Sequence, residues 1–229
     1  MFGTFRGPMF VFTLAAAVAA VYLASSTDFI DVETYEPSPA VKSTVERCAV
    51  CHGAAGRSND SRVPHLRAQN EDYLINQLRR FAQPGEADPP SPILRDLNAM
   101  RARRSRVMEA HAAGLDDGLI HGVARYYTEL PCETESRAAA SEPPAGLAWC
   151  NDCHAPAKVK DFSNVPSLNG QPADYLEAQL LAFKAVLAKA ADGREDARFH
   201  HFMSRSVSTI SDARIREVAE YFSQQACTR

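Results

Sequence analysis

Apolar residues recur along this chain at helical spacing, and they do so twice. Leu74, Leu78 and Phe81 fall at i, i+4 and i+7, and Leu176, Leu180 and Phe183 repeat that spacing. A later stripe of Leu119, Val123, Tyr126 and Leu130 predicts a closing helix near 117–130. Ile215, Val218 and Phe222 predict its counterpart near 212–225. In SPAVKSTVERC, Ser38 reads as an N-cap and Pro39 as the first helical residue. No stretch alternates persistently with period two, so the pattern predicts an all-α fold.

The first residues follow another pattern. Arg6 is the one charge before Asp28, and Gly7 to Thr27 are 21 uncharged residues. As a helix they span about 30 Å of hydrocarbon. Residues 1–27 therefore read as a signal-anchor or transmembrane helix. The competing reading is a secretory signal cleaved after Ala24-Ser25-Ser26, which leaves a soluble protein. Both send the rest of the chain across the membrane, because the positive end stays in the cytoplasm. The acidic, proline-bearing residues 28–42 look like a spacer, and that favours the anchor.

Beyond the spacer the chain repeats itself. Cys48, Cys51, His52, Pro64, Leu66, Gln69, Tyr73, Leu74, Gln77, Leu78 and Phe81 all recur 102 residues later. Farther on the offset falls to 95, and Met108, Ala124, Tyr126 and Cys132 match Met203, Ala219, Tyr221 and Cys227. Two copies of one small domain are implied, over 43–132 and 147–229. The polar, alanine-rich residues 133–146 form the linker.

Composition narrows the chemistry. Hydrophobic residues make up 45% of the 229, which permits a packed core. A formal charge of −3 excludes the basic balance of a nucleic-acid binder. Four of the six cysteines sit in RCAVCHGAAG and WCNDCHAPAK, as Cys48, Cys51, Cys150 and Cys153. Cys-x-x-Cys-His is the attachment signature of haem c: the thiols add to the vinyl groups and the adjacent His52 or His154 reaches the iron. A redox cysteine pair or half a zinc site are the rival readings. A zinc site needs further ligands at suitable spacing, and a thioredoxin-like pair needs a βαβ context. Pro64 and Pro166 lie twelve residues past each histidine. Their carbonyls are candidates to accept the imidazole N–H and orient the ring. For the sixth ligand, Met108 and Met203 align through the repeat. Met100 and His111 are rivals in the first half, and His200 and His201 in the second.

These motifs together resemble the dihaem cytochrome c4 family. The residues that carry the likeness are CHGAAG, VPSLNGQPADYLEAQLLAFK and MSRSVSTISDARIREVAEYFSQQ, and it covers 43–229. The first half departs in having Ala68 where the family has glycine. The resemblance implies two tandem class I cytochrome c domains related by a pseudo-twofold, behind the N-terminal hydrophobic helix. It implies two covalently attached haem c groups with His52/Met108 and His154/Met203 ligation. Tyr73 and Tyr175, in the family's Gln-x-x-x-Tyr-Leu pattern, count among the cofactor-binding residues. An electron carrier on the periplasmic side of a bacterial inner membrane follows, held there by the N-terminal segment or soluble after cleavage. Its expected partners are a quinol–cytochrome c oxidoreductase and a terminal oxidase. A dedicated subunit of a larger membrane oxidoreductase is the alternative. A dihaem peroxidase-like enzyme is another, and it requires an open iron.

Two features remain. Arg95 to Arg106 holds five arginines and one aspartate, read either as a docking surface or as a solvated loop with propionate-pairing arginines. Cys132 and Cys227 are repeat equivalents. If the pseudo-twofold holds and both lie near its axis, they pair in an oxidising compartment. Free thiols or an intermolecular link are the other outcomes.

Overall fold

The computed structural model describes residues 35–82, 105–132, 142–159, 162, 164–187, 198 and 200–227. The anchor segment, most of the spacer, Met100 and Arg95 to Arg104 lie outside them. No helix among the described residues is long and apolar enough to cross a membrane.

The described elements are helical. The first half holds α1 (Pro39–His52), α2 (Glu71–Ala82), α3 (Arg106–Ala112) and α4 (Asp117–Glu129). The second opens with a 3₁₀ turn (Ala148–Cys150), then α5 (Asn151–His154), α6 (Pro156–Val159), α7 (Ala173–Leu187), α8 (His201–Val207) and α9 (Asp212–Gln224). Helix α1 starts where the serine–proline pair predicts, with Ser38 Oγ accepting the Val41 N–H at 3.3 Å. Residues 39–42 of the expected spacer lie in this helix.

The two halves pack alike. In each, the closing helix crosses the long middle helix, α4 on α2 and α9 on α7. The short methionine-bearing helix lies on the same middle helix, α3 on α2 and α8 on α7. Each half has its own core. Val41, Val45, Leu74, Ile75, Ile120, Val123 and Tyr127 form the first, and Leu147, Leu176, Val218, Ala219 and Phe222 the second. On α4 the buried stripe is Ile120, Val123, Ala124 and Tyr127, one residue away from part of the expected one. Leu119, Tyr126 and Leu130 flank it, half-buried. Two adjacent tyrosines made the register ambiguous, whereas on α9 Phe222 beside Tyr221 did not.

Both halves lie in one compact body beginning at Pro37. A disulfide joins Cys132 to Cys227, Cα atoms 5.5 Å apart, just beyond the two closing helices.

Candidate haem sites

Cys48, Cys51 and His52 occupy the last turns of α1. The chain must then turn sharply. Gly53 takes φ 78°, and a Cβ there would sit 2.0 Å from the Arg57 carbonyl oxygen, so only glycine fits. In the second half Cys150 ends the 3₁₀ turn, and Cys153 and His154 lie on α5. Ala155 follows at φ −63°, without the left-handed turn.

Both box histidines are buried. His52 Nδ1 donates to the Pro64 carbonyl at 2.9 Å, and His154 Nδ1 to the Pro166 carbonyl at 3.0 Å. A carbonyl can only accept, so Nδ1 carries the proton and Nε2 keeps the lone pair in the neutral ring. Burial pushes His154 below the usual imidazole range; the Pro166 bond opposes that, and the nearby Arg198 charge adds to it. Neutral imidazole is the ligating form. Burial also raises the Cys48 thiol and lifts Cys150 up to about 11.

One cavity of about 580 Å³ extends across both halves, lined by His52, Met108, His154 and Met203. Pro64, Pro166, Tyr73 and Tyr175 line it too, as do Cys48 and Cys51. Cys150 packs at the edge of the second core, and Cys153 is exposed. Met108 and Met203 are half-buried on α3 and α8. Of the rival ligands, His111 is exposed, and neither it nor His200 lines the cavity. The His201 side chain lies outside the described part.

The lining suits a haem. It is mostly apolar, and it carries imidazole and thioether donors from both halves, with the Cys48 and Cys51 pair beside His52. Two polar groups of the lining bear on this. The Tyr127 hydroxyl is buried with no hydrogen-bond partner among the described residues. The Arg198 guanidinium lies over the Phe183 ring at 4.5 Å, donates to Tyr73 Oη at 2.9 Å and to Gln179 Oε1 at 2.6 Å, and also bonds the Tyr175 hydroxyl. No carboxylate among the described residues pairs with it, and a cation in such a setting needs a counter-charge. Haem propionates are carboxylates of that kind. The zinc reading finds no such fit: among the described residues no three His, Cys, Asp or Glu side chains group as a metal site.

Sequence reasoning missed Arg198, although a signal existed. Arg103 and Arg198 each stand five residues before the aligned methionines. Gln69 and Gln171 stand in the repeat as identities, and the sequence assigns them no work.

No family model matches the chain. Among curated proteins, the thiosulfate dehydrogenase electron acceptor of Thiomonas intermedia is 31% identical over 193 residues, covering 78% of each chain. Cytochrome c4 of Thiocapsa roseopersicina is 28% identical over 176 residues, 76% of this chain and 84% of that one. Among solved structures, reduced recombinant cytochrome c4 from Pseudomonas stutzeri superposes with a TM-score of 0.58 at 23% identity. That match covers 83% of this chain and all of the other.

Proposed function

The chain belongs to the dihaem cytochrome c4 family of electron-transfer proteins, with two covalently attached haem c groups, and on that premise we propose how its residues hold them and which partner it serves. His52 with Met108 ligates the first iron, and His154 with Met203 the second. Each haem, once attached, supplies a one-electron iron couple. The chain does the rest. Cys48 and Cys51, and Cys150 and Cys153, tether the groups. Pro64 and Pro166 hold the imidazole tautomers. The apolar lining excludes water, and the Met108 and Met203 thioethers would close the irons against substrate. Arg198, Tyr73 and Tyr175 receive carboxylates at the seam between the halves. The observation that carries this reading is the pair of buried, proline-held histidines lining one cavity with the repeat-equivalent methionines.

The partner follows from the relative's printed role as electron acceptor of thiosulfate dehydrogenase. The protein accepts single electrons from an oxidoreductase of that kind and passes them on. The quinol–cytochrome c oxidoreductase and terminal oxidase expected from the sequence have no counterpart among these relatives. Residues 1–27 export the chain, with the haem halves on the periplasmic side and the leader retained as an anchor. A carrier with both irons closed has no turnover of its own, which separates it from the peroxidase reading.

Mass spectrometry of the denatured protein tests this with two added haem masses. Spectra of the oxidised protein should carry the Met–Fe(III) band in both haems, and Met203→His should lower one potential, since nitrogen is the more basic donor. A single haem mass, or an unchanged pair of potentials in the variant, overturns the assignment.

A further inference from the structure

Gln69 and Gln171 are buried, 4% and 6% exposed, and each reaches into the opposite half. Gln69 Oε1 accepts the Ser167 N–H at 2.7 Å, and its Nε2 donates to the Ser167 carbonyl at 3.0 Å. Gln171 Oε1 accepts the His65 N–H at 3.0 Å, and its Nε2 donates to the His65 carbonyl at 2.8 Å. The two carboxamides thus grip equivalent backbone positions, each with both of its polar ends.

The gripped residues are the ones that follow the haem-site prolines. Pro166 C=O and Ser167 N–H are the two ends of one peptide group. A single line of hydrogen bonds therefore runs from His154 Nδ1–H to the Pro166 oxygen, through that peptide to the Ser167 N–H, and on to Gln69 Oε1. The mirror line runs from His52 through the Pro64–His65 peptide to Gln171 Oε1. An acceptor at the N–H end of an amide draws charge toward its oxygen, and linked hydrogen bonds polarise one another in this way. A more negative proline oxygen pulls harder on the imidazole proton. The ring becomes a stronger donor to its metal, which favours the oxidised iron.

We propose that Gln69 and Gln171 are crossed positioning residues: Gln69 sets the donor strength of His154, and Gln171 that of His52, so each half tunes the reduction potential of the haem in the other. The proposal rests on the reading of both histidines as iron ligands. If the glutamines served only as glue between the halves, removing one would loosen both sites alike.

The test uses the full-length holoprotein with Gln69→Leu, Gln171→Leu and Gln69→Glu. Potentials come from a redox titration, each haem being assigned by its paramagnetic NMR shifts. Gln69→Leu should raise the potential of the haem tethered at Cys150 and Cys153 and leave the other in place. Gln171→Leu should do the reverse. In Gln69→Glu, the potential of the haem at Cys150 and Cys153 should fall as pH rises and the carboxylate ionises, because a charged acceptor pulls harder than an amide. Opposite signs at one position are not produced by lost packing. A Leu variant that shifts its own half's haem, both haems equally or neither overturns the proposal. Should the Leu variants fail to accumulate as holoprotein, the Glu variant decides alone, and the absence of a fall overturns it. Fewer than two haems on the wild type would instead refute the ligand reading.

Discussion

Ala68 takes φ 52°, and its repeat equivalent Gly170 takes φ 75°. Both turns serve one purpose: Ala68 N–H donates to the Tyr127 carbonyl at 2.8 Å, and Gly170 N–H to the Phe222 carbonyl at 2.9 Å, tying each loop to its closing helix. A side chain in the left-handed region costs roughly 1–2 kcal/mol. Ala68→Gly should therefore raise the stability of the holoprotein by about 1 kcal/mol after the extra chain entropy of glycine is offset. Gly170→Ala should lower it by a similar amount. Its Cβ would meet nothing closer than 3.6 Å, so the backbone angle alone carries that effect. Urea midpoints measure both, and a lower midpoint for Ala68→Gly would sink the account. At this scale the cysteine–histidine boxes, the prolines twelve residues on and the repeat-equivalent methionines stand out in the sequence because they recur at fixed offsets. Gln69 and Gln171 were visible as identities, but an amide that grips another half has no local signature. Arg198 was hidden because its counterpart Arg103 sits in an arginine-rich stretch, read either as a docking surface or as a solvated loop with propionate-pairing arginines, in which no single arginine stands out.

Among the elements, α7 is where the halves meet most openly. Asp174, in its first turn, accepts the Ser61 hydroxyl at 2.5 Å from the first half and Arg216 Nη1 at 2.9 Å from α9. Arg216 also bonds Glu177 and Glu220, and the Tyr175 N–H donates to the Ser61 carbonyl at 3.0 Å. The Ser61 bond first, and Arg216 after it, hold the Asp174 carboxyl below the usual carboxylate range. A depressed carboxylate contributes stability that is complete above its unfolded value, about 3.9. That stability is lost as pH falls from there through the folded value. The seam should loosen in that acid window, and Asp174→Asn should flatten the dependence while leaving neutral-pH behaviour nearly intact. Thermal unfolding between pH 5 and about 2.5, in the wild type and the variant, tests this; parallel curves would show that another group governs acid lability. Helix existence and order were readable from period 3.6 and the N-cap. The α4 register slipped because Tyr126 and Tyr127 are both plausible inward residues, and only the packed core chooses between them.

For the whole molecule, the Cys132–Cys227 bridge is a covalent link between the two halves. The bonded cysteines are 95 residues apart in sequence, yet their Cα atoms are 5.5 Å apart. Closing a loop of that length restricts the unfolded chain by about 4 kcal/mol in the entropy model. The bridge ties the two closing helices together at their ends, while the glutamine pairs tie the loops beside the haem cavity. Each half buries its own set of apolar residues, and that set contains none from the other half. Without the bridge, the hydrogen bonds named above between the halves remain, and such ties contribute about 1 kcal/mol each. Cys132→Ser with Cys227→Ser should therefore lower the overall stability by up to about 4 kcal/mol and split urea unfolding into two transitions, one per haem. The native spectrum should stay unchanged, because neither cysteine lines the haem cavity. The wild type should unfold in one step under oxidising conditions and in two after reduction. A single transition at an unchanged midpoint in the double variant would mean that the seam itself, and not the bridge, couples the halves.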